Sequence, residues 1–547
     1  MLLVENPVLQ RELLTNLRAS RSFWLMLLYQ VALAAVLLVA YPSGQRVDLT
    51  TDSAAGRQLV DFFFLGQYIL ASLMAPTFAA GAISGEKERK TYEMLLASPL
   101  HPWAIVIGKM VASLTHLAVL IIASLPIIML ALPLGGVSIY EVLAAYLWLM
   151  VSVILFGSIG LACSGVFRRT AASLVVSYLA ILPLVLVGAL FWRGLESRGN
   201  LRLQIATLLL PPIFLFISAI LCRSTARRLL YPPDVGSEGK EVVDLDQESK
   251  QAIGMVIQRD QFPDRLFAPP RRTALMHDHA NPVYDKEIHA ELFSQGTLML
   301  RLVIQISMLL AIPLMAVTLF YFSANQPPVL APWYICYVLV FNILVAPVFS
   351  AGALTSERER QTLELLLTTV LSPKQIMWGK LLAGFRVSYV LTMFLMWPVV
   401  LAFLLAFQFY YAITLSIVAF FVIVFIAAVF NSVSAMLCSA LCRRTSVAML
   451  LSYALLIVVY FLPVAAWYLG NNVTDDAQAL AWLRWLGIGS PLMTTFWVPI
   501  EAGLNAQLTL ERWWVVLRYL AFSMFAIASM FAVTAFILEK RLGMTGR

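Results

Sequence analysis

Residues 86–109 read EKERKTYEMLLASPLHPWAIVIGK, and residues 357–380 read ERERQTLELLLTTVLSPKQIMWGK. The two stretches align without a gap, and twelve of the 24 paired positions are identical, where average residue usage gives roughly one or two by chance. Each copy is a charged segment set between two long apolar stretches. A chain that repeats its charged connecting segment this faithfully is using it as a contact surface.

The similarity extends outward from this block. Asn6-Pro7-Val8 with Arg11-Glu12 returns as Asn281-Pro282-Val283 with Lys286-Glu287, displaced by 275 residues. The same displacement carries Gln30 onto Gln305, Cys163-Ser164 onto Cys438-Ser439, Arg168-Arg169-Thr170 onto Arg443-Arg444-Thr445, and Ser177-Tyr178 onto Ser452-Tyr453.

With 61% hydrophobic and 12% charged residues over 547 positions, the composition excludes a soluble enzyme and points to an all-α polytopic membrane protein. A bilayer core is crossed by about 20 apolar residues in a helix. Twelve such stretches are present: 22–41, 59–83, 105–132, 142–167, 171–192 and 203–222, then 302–322, 333–354, 381–407, 412–442, 447–469 and 513–538. Six spans per half make both halves insert with one orientation. The expectation is two parallel six-helix repeats, 1–230 and 281–547, related by an axis along the membrane normal. Between them lies 231–280, a polar cytoplasmic linker with Pro232-Pro233 and Pro269-Pro270, expected to be extended.

Charge placement sets the orientation. With both termini cytoplasmic, thirty of the 38 Lys and Arg residues fall on inside segments, and every Lys is among them. The net charge of +8 is therefore a topology signal and gives no reason to expect nucleic acid. The loop before the last span is long only in the second half, at 470–512, and carries Trp482, Trp485, Trp497, Pro491 and Pro499. That composition predicts interfacial or re-entrant helices capping the outer mouth.

In the repeated block, Arg89 with Glu93 and Arg360 with Glu364 stand four apart, at the spacing of ion-paired helical turns. Leu95, Leu96, Leu366 and Leu367 offer an apolar ridge. Pro99, Pro102 and Pro373 are expected to end the short helix. Lys109 and Lys380, at the mouth of the third span, are expected to snorkel to the interface. The repetition of Glu86, Glu88, Arg89, Thr91 and Glu93 as Glu357, Glu359, Arg360, Thr362 and Glu364 favours a protein contact over simple anchoring at lipid.

The E-x-E-R-x-T-x-E-x-L-L pattern, with Gly-Lys opening the next helix, resembles that of ABC-2 type transporter permeases. The resemblance covers both halves, as two permease halves fused in one chain. It implies that these ten charged and threonine residues form cytoplasmic coupling helices docking on a separate ATP-binding-cassette ATPase, one copy per coupling helix, and that transport runs outward. The stretches holding Asn6, Pro7, Arg11 and Glu12, and Asn281, Pro282, Lys286 and Glu287, resemble the amphipathic elbow helix before the first span. The expected location is a plasma membrane, the inner one in a bacterium. The first copy has Ser98-Pro99-Leu100 where the second has Thr369-Val370-Leu371, so the two docking turns differ in shape.

Two other classes compete with this one. A six-plus-six carrier driven by an ion gradient places titratable groups deep in its helices; here His116 is the deepest, without a carboxylate beside it in sequence. A non-transporting scaffold is the third class. Gln30 and Gln305, at equal depth in the first span of each half, are candidate pathway residues or interhelical hydrogen-bond donors. No metal ligand set is expected: Cys438 and Cys442 share a helix face without a third ligand, and His277-Asp278-His279 reads as a solvated loop. Cofactors are expected only on the partner, as ATP and magnesium. A phosphate-binding loop needs Gly-x-x-x-x-Gly-Lys-Ser/Thr, but the three Gly-Lys pairs are followed by Met110, Glu241 and Leu381. The purified chain alone is therefore expected to release no phosphate from ATP; turnover by partner-free protein would contradict this.

Overall fold

A computed structural model describes residues 53–88, 90–129, 137–167, 170–194, 199–230, 281–289, 331–359, 361–362, 371–405, 414–442, 445–473, 487–499 and 506–541, with isolated positions 9–11, 13, 27, 29–31, 33–34, 305, 309, 366, 369 and 485. Most of the expected spans 22–41 and 302–322, and all of the linker 231–280 with His277-Asp278-His279, lie outside them. The chain divides into two compact units, Met1–Glu248 and Ser249–Arg547. Among the described residues every regular element is helical, and nine helices are long and apolar enough to cross a membrane. The expected fifth span, 171–192, is the helix Thr170–Gly194.

In the first unit the helix Ile139–Val166 is central, packing against Ser53–Ala79, Pro102–Ala123, Thr170–Gly194 and Leu210–Leu230. It is apolar all round, as a helix enclosed by others must be. Close approach is bought with small residues: a Cβ at Gly160 would stand 3.0 Å from Ala79 Cβ and 3.4 Å from the Ala80 nitrogen. One end of the core is an aromatic stack. Tyr68 lies on Trp148 (4.6 Å between ring centroids), Trp148 on Trp192 (5.2 Å), and the Arg202 guanidinium covers Trp192 at 4.3 Å. Asp61 closes it, accepting from Arg202 at 3.0 Å and from Trp192 Nε1 at 3.1 Å. The third span is interrupted at Ser124, one residue before Leu125-Pro126, because proline removes a helical donor and clashes with the preceding turn. Met396 before Trp397-Pro398 makes the same break in the second unit.

In the second unit Thr414–Leu441 takes the central place, against Ala331–Ser350, Pro373–Leu395, Thr445–Val473 and Ala506–Arg541. A polar chain crosses its interior. Asn342 Nδ2 donates to Thr392 Oγ1 (2.8 Å), Asn431 Nδ2 donates to Asn342 Oδ1 (2.7 Å), and Tyr460 donates to Asn431 Oδ1 (2.7 Å). Ser490 Oγ then donates to the Tyr460 carbonyl (2.7 Å) while capping the short helix Pro491–Trp497. That helix, from the 470–512 loop, is folded inward, with Pro491 to Thr495 buried against the long helices. The loop thus supplies a helix packed into the bundle; Trp482 lies outside the described residues.

Replacing Asn431 with Leu leaves Asn342 Oδ1 and the Tyr460 hydroxyl without partners in an apolar interior. The expected cost is about 1–3 kcal/mol, read as a lowered midpoint of thermal unfolding for the detergent-solubilised chain. An unchanged midpoint would mean that this chain of amides does not hold the bundle.

Candidate functional site

The charged segment after the second span is two short helices, Ser84–Glu88 and Tyr92–Leu96, in place of the single amphipathic helix expected. Lys90 between them has φ 57°, and Gln361 at the matching place in the second unit has φ 58°. The Thr91 N–H reaches back to the Glu86 carbonyl (3.0 Å) and the Lys90 N–H to that of Lys87 (3.3 Å). This is the paired ending that normally uses glycine. Here a side-chain residue takes the left-handed conformation, at a cost of about 1–2 kcal/mol.

The segment is pinned to the junction between the fourth and fifth spans. Ser164 Oγ accepts from the Ile83 and Ser84 N–H groups at 2.9 and 2.8 Å. Lys87 Nζ donates to the Gly165 carbonyl (2.6 Å) and the Phe167 carbonyl (3.4 Å), placing a cation at the C-terminal end of helix 139–166. Glu88 accepts from the Thr170 N–H (2.9 Å) and hydroxyl, placing an anion at the N-terminal end of helix 170–194. Both charges oppose the helix dipole they meet.

The second unit makes the same contacts. Ser439 Oγ accepts from the Leu354 and Thr355 N–H groups, both at 3.1 Å. Arg358 donates to the Cys442 and Ala440 carbonyls at 2.6 and 3.2 Å. Glu359 accepts from the Thr445 N–H and hydroxyl, both at 2.9 Å. Thr91 donates to the Glu86 carboxylate, and Thr362 to that of Glu357.

Beneath this lies the charge that organises the site. Lys380 Nζ is 2.7 Å from Glu287 and 3.1 Å from Glu357, with its side chain 3% exposed. Lys286 reaches Glu357 at 3.7 Å. Glu287 and Lys286 come from the helix Pro282–His289, which Asn281 caps by accepting from the Val283 N–H (3.0 Å). Asn281 Nδ2 also donates to the Gln375 carbonyl (2.7 Å). The helix lies so close to the third span that a Cβ on Gly379 would meet the Tyr284 nitrogen and Val283 Cβ, both at 2.9 Å. In the first unit Lys109, also buried, pairs with Glu86 at 3.3 Å.

The sequence matches the family described as ABC-2 family transporter protein over residues 7–198 and 240–541. The chain belongs to that family. It is the membrane component of an ABC-2 transporter, a multi-pass protein whose family has no ATPase activity of its own and works with an ATPase partner. Among curated proteins no match is found.

In this ABC-2 permease the repeated residues face two ways. Glu86, Glu88, Thr91, Glu357, Glu359 and Thr362 bond within their own unit, and Glu93 is exposed. Arg89, Arg360 and Glu364 lie outside the described residues, as do Asn6, Pro7 and Glu12, Leu367, and Arg168-Arg169 and Arg443-Arg444; Arg11 is helical. The outer surface of the first segment is Glu93, Met94 (75% exposed), Leu96, Ala97 and Pro99.

Two expectations are corrected. Lys109 and Lys380 do not snorkel, because a carboxylate from the preceding segment reaches each ammonium inside the protein. Pro102 and Pro373 begin the third span and do not end the segment before it: each is a first-turn residue behind His101 or Ser372 as cap, where a missing N–H costs nothing. Gln30 Nε2 donates to the Leu120 carbonyl (3.2 Å), and Gln305 is exposed.

The roles of Lys87, Arg358, Ser164, Ser439, Thr170 and Thr445 were missed, although serine and threonine recur at the 275-residue displacement and the basic pair keeps its charge. Asn342 and Asn431 escaped the sequence reading because neither recurs at the repeat displacement that drew attention to Gln30 and Gln305. An amide inside an apolar stretch was the available signal.

Replacing Lys380 with Met leaves Glu287 facing Glu357 without the buried cation they share, and leaves Glu357 only the exposed Lys286. The expected loss is about 3–5 kcal/mol, and Lys380→Arg, which keeps the charge, should recover much of it. Equal thermal stability of Lys380→Met and the parent protein would show that the buried pair carries no weight.

Proposed function

We propose that the chain carries two fused permease halves, each contributing six spans in the same orientation, and that segments 84–96 and 355–372 are its cytoplasmic coupling helices. Each would dock one copy of the ATPase, which would hold the ATP and magnesium. The permease would form the pathway and drive export across a plasma membrane, with both termini cytoplasmic. The observation that carries this reading is the division of labour within the segment. Its inner residues clamp the third, fourth and fifth spans of the unit by hydrogen bonds and ion pairs, while Glu93, Met94 and Leu96 stay exposed. A load applied to the outer side is thereby delivered to three membrane helices at once.

Burying a methionine side chain in a partner's groove is worth about 1.5–3 kcal/mol. Met94→Asp removes that gain and adds a charge to be desolvated. With Glu93→Lys in the same chain, ATPase recovered with the purified permease should fall at least tenfold, as about 1.4 kcal/mol per decade requires. The unfolding midpoint of the permease should not change, since neither side chain takes part in the bonds that clamp the segment. Full recovery of the ATPase, with unaltered stimulation, would place the docking surface elsewhere.

A further inference from the structure

At the end of the second unit opposite segment 352–372, the helices Pro491–Trp497 and Ala506–Arg541 enclose a cleft of about 640 Å³. Its walls include Trp485, Trp497, Trp514, Glu511, Arg512 and Arg518. Among the described residues no carboxylate lies within ion-pair distance of Arg512 or Arg518. Arg518 sits eight residues into the membrane-length stretch Leu510–Ile537, about 12 Å along the helix at 1.5 Å per residue. It is exposed there, and its guanidinium lies 4.8 Å over the Trp485 ring.

A guanidinium on the surface of an apolar span is costly unless its donors are satisfied. The indole beneath it offers a cation–π contact, and a guanidinium's fork of N–H groups suits two-point contact with an oxyanion. Arg512, on the same helix, adds a second cation, so the charged side chains of the wall sum to one net positive charge with Glu511. Three tryptophans around them match the belt where apolar and polar layers of a bilayer meet. The same helix continues below the cleft with exposed Leu517, Phe522 and Phe525, a track for acyl chains.

We infer that this cleft binds a membrane glycerophospholipid, with the phosphate held by Arg518 and Arg512 and the acyl chains running along helix 506–541. The site is separate from the segments proposed to meet the ATPase, and its test does not depend on them. The floor is preformed: the polar chain through Asn431 and Tyr460 fixes Ser490, and with it the helix that bears Thr494 and Trp497.

The full chain, delipidated in detergent, would be titrated with dioleoyl phosphatidylglycerol and bound lipid counted by native mass spectrometry. One high-affinity phosphatidylglycerol per chain is expected, weakened at least tenfold in Arg512→Gln/Arg518→Gln. Trp485→Leu, which alters only an exposed ring, should weaken it too and guards against misfolding of the double variant. Dioleoylglycerol, with the same chains and no phosphate, should not occupy the site. Undiminished phosphatidylglycerol binding by both variants would overturn the inference. So would dioleoylglycerol binding as tightly, which would mark an apolar groove, or displacement of the lipid by millimolar glycerol phosphate, which would mark a site for soluble anions.

Discussion

An ammonium group inside a membrane bundle must find a carboxylate, and Lys109 and Lys380 impose that requirement on everything around them. Each stands on the third span, seven residues from its start, with almost no contact with water. Withdrawing an unpaired charge from water costs several kcal/mol, so the segment ending the previous span must fold back to deliver Glu86 or Glu357. In the second unit the same demand draws in Glu287 and with it the helix 282–289. One buried ammonium with its carboxylates thereby fixes where three separate pieces of chain meet.

Around that pair the remaining groups are used in helix ends. Lys87 and Arg358 occupy the carbonyl ends of the fourth spans, Glu88 and Glu359 the amide ends of the fifth, and Ser164 and Ser439 satisfy the turn that enters the segment. Each contact satisfies backbone groups that would otherwise be unpaired at the edge of an apolar layer. The left-handed Lys90 turns the chain into the second short helix, Tyr92–Leu96, which leaves Glu93, Met94 and Leu96 exposed, and Gln361 takes the same conformation at the matching place. Stiffness within and exposure without are what the proposed coupling to an ATPase would require.

The spans hold one another by different means. Lipid tails compete equally for apolar side chains, so specificity among membrane helices comes from close packing and interhelical hydrogen bonds. The first unit relies on Gly160 at a tight crossing and on the Tyr68–Trp148–Trp192–Arg202 stack. The second relies on the amide chain from Thr392 to Ser490, which also ties an inward-folded loop helix to the core. That tie gives the aromatic and cationic cleft beside it a fixed wall.

Composition and apolar run lengths were enough to read a helical membrane protein, and nine of the twelve stretches appear as membrane-length helices among the described residues. The repeated block was visible as a distinct charged segment, and its prolines and tryptophans marked loop 470–512 as more than a plain connection. The direction in which each repeated charge points could not be read. Glu88 and Thr170 are 82 residues apart, and Glu287 and Lys380 are 93 apart. Periodicity reports which side of one helix is apolar, whereas the partner of a charge is chosen by which distant segment packing brings within 3 Å. The sequence by itself therefore determined the material, the spans and the repeated residues. Only the tertiary structure decided that most of those residues hold the unit together, leaving a narrow strip around Met94 to meet anything else.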